Sequence, residues 1–425
     1  MNEVKNVPNG WVETTLSEYL DLLNGYAFKS DDFENEKIND SYLPILKIKN
    51  VANGNANHND VVFHKVNDNL EKYIIKEGDI LIALTGNHPS AITQVVGGIS
   101  RYYLKDKALL NQRVGKIYSK NENILNNDFI YYFFKWNNTQ FHIANQSSGS
   151  ASQANISKND VISTPINLPP QPEQKSIASI LTAFDDKIEL LQAQNKTLEA
   201  TAQTIFKEWF GKYSVDDELP DGWIVGKLSE IANLKSGFAF KAEDFIEESN
   251  FKAIKIKDLK GNGNISLSAV SAITEEITKL DRVQYFKLKE GDILLAMSGN
   301  TTGKIGVLPS SEYEIYLNQR VGKFFMKDKK YNSFLYNFLM SGSFEEKILA
   351  MGYGSAQPNI NPSQIENIDI IYPDDTKMTD YLKISNPIFE KVLKNNTQIQ
   401  TLTKTRDELL PRLMSGEVRV NEFKN

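Results

Sequence analysis

Not one of the 425 residues is cysteine, so disulfides, thiolate metal sites and cysteine nucleophiles are excluded together. Histidine is almost as scarce. His58, His64, His88 and His142 all fall in the first half, without metal-ligand spacing. No apolar run approaches the roughly 20 residues that a membrane span needs. The opening MNEVKNVPNGW is polar from its first residue, without a signal-like apolar core, and a cytoplasmic protein is expected. A strong excess of one charge is missing too. The net charge of −6 divides into 21 Lys+Arg against 24 Asp+Glu over 1–212, and 27 against 30 over 213–425. An acidic total argues against a generally adhesive polycation. It leaves DNA binding open, because only the surface facing phosphate must be basic.

Catalytic signatures are absent as well. Asn167-Leu168-Pro169-Pro170 comes nearest to the Asn/Asp-Pro-Pro-aromatic motif of amino-methyltransferases, but Leu168 replaces the first proline and Gln171 the aromatic. The stretch PDDTK at 373–377 crowds its acids and lysine into five adjacent residues, so the two-strand metal site of a nuclease does not form there. No GxxxxGK[ST] loop occurs. No active site is found, and the chain reads as non-catalytic, with no cofactor or metal of its own.

What is there is written twice. PNGWVETTLSE at 8–18 returns as PDGWIVGKLSE at 220–230, and GYAFKSDDF at 25–33 as GFAFKAEDF at 237–245. EGDILIALTGN at 77–87 returns as EGDILLAMSGN at 290–300, and NQRVGK at 111–116 recurs unchanged at 318–323. SQANIS at 152–157 aligns with AQPNIN at 356–361. Five blocks in one order mark a duplicated domain rather than a short-period repeat. Within each copy, LPILKIKNV and FKAIKIKDL alternate like half-buried strands, and DILIAL and DILLAM read as buried strands between turns. The aromatic segments 128–136 and 333–340 predict helix, with strand as the alternative. Each copy is expected to be a compact α+β domain.

Between and after the copies the pattern changes. Ile177, Leu181, Phe184, Ile188, Leu191, Asn195, Leu198, Ala202, Ile205 and Trp209 alternate steps of four and three, a heptad seam ending before Gly211. The same spacing runs through Ile388, Val392, Asn395, Ile399, Leu402, Arg406, Leu409 and Leu413, ending at Gly416. Pro387 suits the start of that helix, with an earlier helical piece around 376–385. Helices this long reach roughly 40 to 60 Å. The order is therefore domain (1–171), helix (172–211), domain (212–375), helix and tail (376–425). Antiparallel pairing of the two coiled-coil helices gives a pseudo-two-fold architecture with two similar domains held apart. Two readers on a stiff spacer suit a polymer with two half-sites, and double-stranded DNA is the obvious one. Divergence of the copies implies unlike half-sites.

These segments carry a resemblance. PPQPEQKSIASIL followed by a heptad helix ending FKEWF, and the terminal LLPRLMSGEVRV, resemble the two conserved helical regions of type I restriction-modification specificity subunits. PNGW, GYAFKSDDF, EGDILIALTGN and the NQRVG core resemble that family's target-recognition domains, in the family's order and over essentially the whole chain. The resemblance implies a subunit that binds a bipartite, asymmetric DNA site, one half per domain. It also implies docking of two adenine-N6 methyltransferase subunits, which would carry the S-adenosylmethionine, and of restriction-motor subunits in the full complex. A different class stays open: a protein-interaction scaffold with duplicated binding domains and a helical dimerisation strut.

The candidate DNA-binding residues follow the repeated blocks. Asn111, Gln112 and Arg113, with Asn318, Gln319 and Arg320, offer donors and acceptors suited to base edges or phosphate, or else hold a turn common to both copies. An identical hexapeptide does not specify two different half-sites, so specificity is expected where the copies disagree. One such place follows the DIL strand: Thr85 and Asn87 in the first copy, and Ser298, Asn300, Thr302 and Lys304 in the second. There SGNTTGKIG reads either as a plain turn or as a loop that grips phosphate through backbone amides and an ammonium, and the first copy lacks GKIG. Lys29, Lys47 and Lys49, with Lys241, Lys255 and Lys257, form a basic set that alternation in a strand places on one face. Gln153/Asn155 and Gln357/Asn359 read as loop-fixing, and Asn195 as a register-setting residue.

Overall fold

The computed structural model describes residues 7–51, 54–87, 96–150, 153–352 and 360–420. The chain divides into two units, one comprising Met1–Asp185 with Thr405–Asn425 and the other Asp186–Lys404.

In the first unit the alternation of LDLLN buries Leu20 and Leu22 on one face of the strand Leu20–Asn24. That strand pairs antiparallel with Val114–Ser119, which pairs with Ile80–Ala83, then Ile99–Arg101. All four residues of Ile80–Ala83 are buried, as a strand covered on both faces demands. A second sheet runs Val62–Lys65, Tyr42–Leu46, Ala108–Leu110, Ile74–Ile75, with a parallel pairing at its centre. The aromatic segment is a helix, Asn127–Lys135, started by the Asn126 side chain, which accepts from Phe129 N–H at 2.9 Å.

The second unit repeats this frame. Ala232–Ser236, Val321–Met326, Ile293–Ala296 and Ile305–Val307 form one sheet. Phe251–Ile254 and Glu314–Leu317 form the parallel pair of another, and Asn332–Leu339 is the aromatic helix. A short ribbon closes each unit: Val12–Thr15 with Pro165–Leu168, and Trp223–Lys227 with Asp369–Pro373.

Two α-helices of 40 residues each, Gln171–Phe210 and Asp375–Met414, contribute to both units. Within the second unit, Asn195 Nδ2 donates to Asn396 Oδ1 at 2.7 Å, while Phe210 packs on Tyr381 with ring centroids 4.8 Å apart. Numbers rise along one helix as they fall along the other, so the helices are antiparallel. Within the first unit, the Asp185–Arg406 ion pair at 2.6 Å and the shared burial of Ile177, Leu181, Leu410 and Leu413 give the same sense.

Pro387 does not open the second helix; it lies inside Asp375–Met414. Its ring removes the donor for the Lys383 carbonyl, but both residues are on the exposed side, where water replaces the bond. Met378, Tyr381 and Leu382 before it, and Phe389 and Val392 after it, are buried and hold the helix together. The heptad seam also drifts. Ile177, Leu181, Ile188 and Leu191 are buried, and Phe184, Leu198 and Ile205 are half-buried, while Phe206 and Phe210 enter the core. On the second helix Val392 and Leu413 are buried, and Ile388, Ile399, Leu402 and Leu409 are half-buried beside the buried Phe389 and Leu410. A straight helix of 3.6 residues per turn slides about 20° per heptad from a 3.5 repeat, which moves the inward position by one residue. No helix among the described residues is long and apolar enough to cross a membrane.

Candidate nucleic-acid interface

In NQRVGK, NQR forms the turn between Ala108–Leu110 and Val114–Ser119, and backbone hydrogen bonds tie it to the neighbouring segments. Tyr26 N–H donates to the Leu110 carbonyl at 2.8 Å, Gln112 N–H to Tyr26 at 2.9 Å, and Asn111 N–H to Leu46 at 3.2 Å. The second copy repeats the pattern: Phe238 N–H to Leu317 at 2.8 Å, Gln319 N–H to Phe238 at 2.9 Å, and Asn318 N–H to Ile254 at 3.2 Å. The crossing segment needs glycine, because a Cβ on Gly25 would collide with the Asn111 carbonyl, and one on Gly237 with the Leu317 carbonyl. The closing lysine turns inward. Lys116 Nζ meets Asp79 at 2.8 Å and Lys323 Nζ meets Asp292 at 2.6 Å, tying NQRVGK to EGD in each copy. Backbone and lysine are thus scaffold, while the Gln112, Arg113, Gln319 and Arg320 side chains are exposed and Asn111 and Asn318 half-exposed.

The basic set does not sit in a strand. Tyr42–Leu46 stops before Lys47, and Ile48–Asn50 is a 3-10 turn begun when the Asn50 side chain accepts from Lys47 N–H at 3.0 Å. Likewise Phe251–Ile254 stops before Lys255, and Asp258 Oδ2 accepts from Lys255 N–H at 2.8 Å to start Ile256–Asp258. Two buried polar side chains therefore override the alternation, and residues two apart no longer share a face. Lys47 and Lys49 instead line a groove of about 440 Å³ with Phe28, Phe33, Asn111 and Arg113. The Lys47 ammonium lies 4.9 Å from the centre of the Phe33 ring, and Lys255 lies 3.5 Å from Phe245 at the matching place. Lys49 makes an exposed ion pair with Asp60 at 3.7 Å, and Lys257 Nζ donates to the Ala269 carbonyl at 3.1 Å.

Burial pushes the Lys255 ammonium below its ordinary range, with Lys257 adding repulsion against the pull of Asp258. Burial pushes the Asp258 carboxyl up, although the Lys255 amide and the lysines around it oppose the shift. The first copy avoids this tension by carrying Asn50 at the same place.

Arg113 joins three of the repeated blocks. Its Nη1 reaches Thr85 Oγ1 at 3.4 Å and Asn155 Oδ1 at 3.3 Å, and Thr85 donates to Asn155 at 2.7 Å. Thr85 is buried and Asn87 half-exposed. In the second copy Met297 N–H donates to the Arg320 carbonyl at 3.1 Å, which sets Ser298 beside the turn. Ser298 Oγ is buried without a hydrogen-bond partner among the described residues. In the loop after Ile293–Ala296 the hydrogen bonds are those of a plain turn. The amides of Thr302, Gly303 and Lys304 donate to Gly299, Ala296 and Thr301, and the Thr302 hydroxyl to Gly299 at 2.7 Å. Its backbone is engaged in closing the hairpin, which leaves the exposed side chains of Asn300 and Lys304. Lys29 and Lys241 are exposed on the preceding 3-10 turns and do not line the groove; Lys241 pairs with Glu243 at 3.3 Å. The first-copy loop over 88–95, the Gln153 side chain, Gln357 and Asn359 lie outside the described residues. No cluster of three or more His, Asp or Glu suited to a metal occurs among the described residues.

Sequence reasoning missed the aromatic walls, Phe28 and Phe33 with Phe240 and Phe245. Their recurrence inside GYAFKSDDF and GFAFKAEDF was the signal for them.

A duplicated domain whose first copy presents a basic and aromatic groove, with the same lysines, arginine and phenylalanines recurring in the second, defines a class of duplicated nucleic-acid recognition proteins. The type I restriction modification DNA specificity domain matches this chain over residues 8–200 and again over 220–404, and the chain belongs to that family as a specificity subunit. It is 28% identical over 433 residues to the type I restriction enzyme MjaVIII specificity subunit of Methanocaldococcus jannaschii, covering 98% of this chain and 95% of that one. It is 27% identical to the HindI specificity subunit of Haemophilus influenzae, over 82% of this chain and 88% of that one. The fold matches the crystal structure of a type I restriction-modification S subunit from M. genitalium, with TM-score 0.58, 18% identity, and 97% and 98% of the two chains covered.

Proposed function

We propose that the chain recognises an asymmetric, bipartite DNA sequence, one half per domain, and delivers a methyltransferase to it. The observation that carries the reading is the groove of the first domain, with two lysines, an arginine and two phenylalanines, and the recurrence of that residue set on the same backbone frame in the second domain. Chemistry then belongs to partners. Two methyltransferase subunits supply S-adenosylmethionine and transfer a methyl group to adenine, and restriction subunits join in the full complex. This chain supplies position and orientation and takes no catalytic part.

The test is a mobility shift with the full chain, coproduced with the methyltransferase subunits of its system, on a pool of random duplexes. Salt-sensitive retention that enriches a single split sequence is expected. Indifference to DNA at every salt concentration would favour the scaffold reading instead.

A further inference from the structure

The groove of the first domain is the part of the site that duplication has left untouched. Of its eight lining positions, seven carry the same residue at the matching place in the second domain, and only Ser30 differs, replaced by Ala242. The matching rests on geometry as well as on letters. Both copies put the lysine pair on a 3-10 turn whose first carbonyl neighbour accepts from the Asn of NQR at 3.2 Å. Both set one lysine over a phenylalanine ring, Phe33 or Phe245, and both pair the other phenylalanine wall with a second aromatic at 5.0 Å, Tyr26 on Phe28 and Phe238 on Phe240.

Immediately outside the groove the copies part. Asn50 corresponds to Asp258, Thr85 to Ser298, and the sequence TGNHPS to SGNTTG. Residues that read two different base sequences must differ; residues held constant should contact what both half-sites share. Every stretch of duplex shares its sugar-phosphate backbone.

The chemistry of the groove fits that ligand. Lys47, Lys49 and Arg113 bring three cations to a surface whose lining includes no carboxylate, in a chain of net charge −6. The Arg113 guanidinium is held through Nη1 by Thr85 and Asn155, and the exposed side chain keeps Nε and Nη2 as further donors. A fixed guanidinium fork matches a phosphate's two oxygens. The two phenylalanine walls suit the apolar flank of a deoxyribose.

Resting on the DNA-reading function above, we infer that this groove and the matching residue set of the second domain form a duplicated, sequence-blind phosphodiester subsite. It clamps one strand in each half-site and sets the register, while base reading falls to the divergent elements on its rim. NQR is then a shared backbone clamp rather than a reader of bases.

The test uses the full chain with its methyltransferase subunits and two triple variants, K47Q/K49Q/R113Q and K255Q/K257Q/R320Q. Binding to random duplex and to duplex carrying the methylated split sequence is measured from about 50 to about 200 mM salt. Each triple is expected to bind both duplexes roughly 8- to 60-fold more weakly at 0.1 M salt. The slope of log K against log salt should shrink by about one to two, as loss of one or two phosphate contacts requires. The methylated sequence should stay the same. Arg113→Lys keeps the charge and should keep the slope, and melting curves matching the parent separate lost contact from lost fold. Unchanged affinity and slope in both triples, or a base relaxed at one half-site with an unchanged slope, overturns the clamp. A parent complex that binds no DNA overturns the functional reading and the clamp with it.

Discussion

Each unit buries its helix segments in an apolar core, but the first adds a charged knot where the second adds an aromatic cluster. In the first, Asp185 accepts from Arg406 at 2.6 Å, from Tyr132 at 2.8 Å and from Lys135 at 3.3 Å, a charged knot under the aromatic helix. Arg419 adds a two-pronged bond to Glu173 at 2.7 and 2.9 Å, bringing the tail onto Trp11. In the second, Phe210 packs against Phe206 at 4.9 Å and meets Tyr381 at 4.8 Å and Phe334 at 5.0 Å edge to face, and Phe389 is buried in the same apolar cluster. Drift has rewritten how each domain is attached, yet the groove lining has hardly changed. Packing tolerates any well-filled solution; a contact with a fixed external ligand does not.

The comparison breaks most visibly at its apolar end. Phe210→Ala empties the centre of the aromatic cluster and should lower stability by about 3–5 kcal/mol, read by calorimetry of the full chain. Arg406→Leu leaves Asp185 with Lys135 and Tyr132 and should cost less, about 1–3 kcal/mol. Equal losses would mean that the two attachments are not energetically different.

A smaller effect sharpens the contrast through pH. Burial raises the Asp185 carboxyl, but Lys135 and Arg406 together outweigh it and hold the group below its ordinary value. Its contribution is present above the unfolded carboxylate pKa of about 3.9 and is lost as pH falls through the lower folded value. Glu199 runs the other way, because burial raises it and the Tyr336 hydroxyl only partly offsets this. Its ionised form costs stability at neutral pH, and the cost is relieved as pH falls through the raised folded value. Glu199→Gln should therefore melt above the parent at neutral pH, with the advantage fading by about pH 4. Asp185→Asn should melt below the parent at neutral pH, with the deficit shrinking below about pH 4. Parallel pH profiles for the two variants would contradict the assignment.

The duplication, the two helices and the strand after each EGD were legible because each leaves a periodic or repeated trace. Ile80–Ala83 and Ile293–Ala296 could be placed from letters alone. What stayed hidden depends on single polar side chains meeting across the chain. Asn50 and Asp258 bend two expected strands into 3-10 turns, which moved the lysines from a flat face into a groove. Pro387 reads as a boundary, but the residues buried on either side of it carry the helix through. The inward lysine of NQRVGK shows only once Asp79 and Asp292 are seen opposite it.

The central claim is that one frame, used twice, grips two unlike stretches of duplex. Sequencing that detects methylated adenine, in cells making this chain with its methyltransferase, tests it when residues 1–170 are exchanged for those of another family member. One half of a split motif should change while the other half stays as it was. Loss of both halves together, or a contiguous motif in the parent, would contradict it.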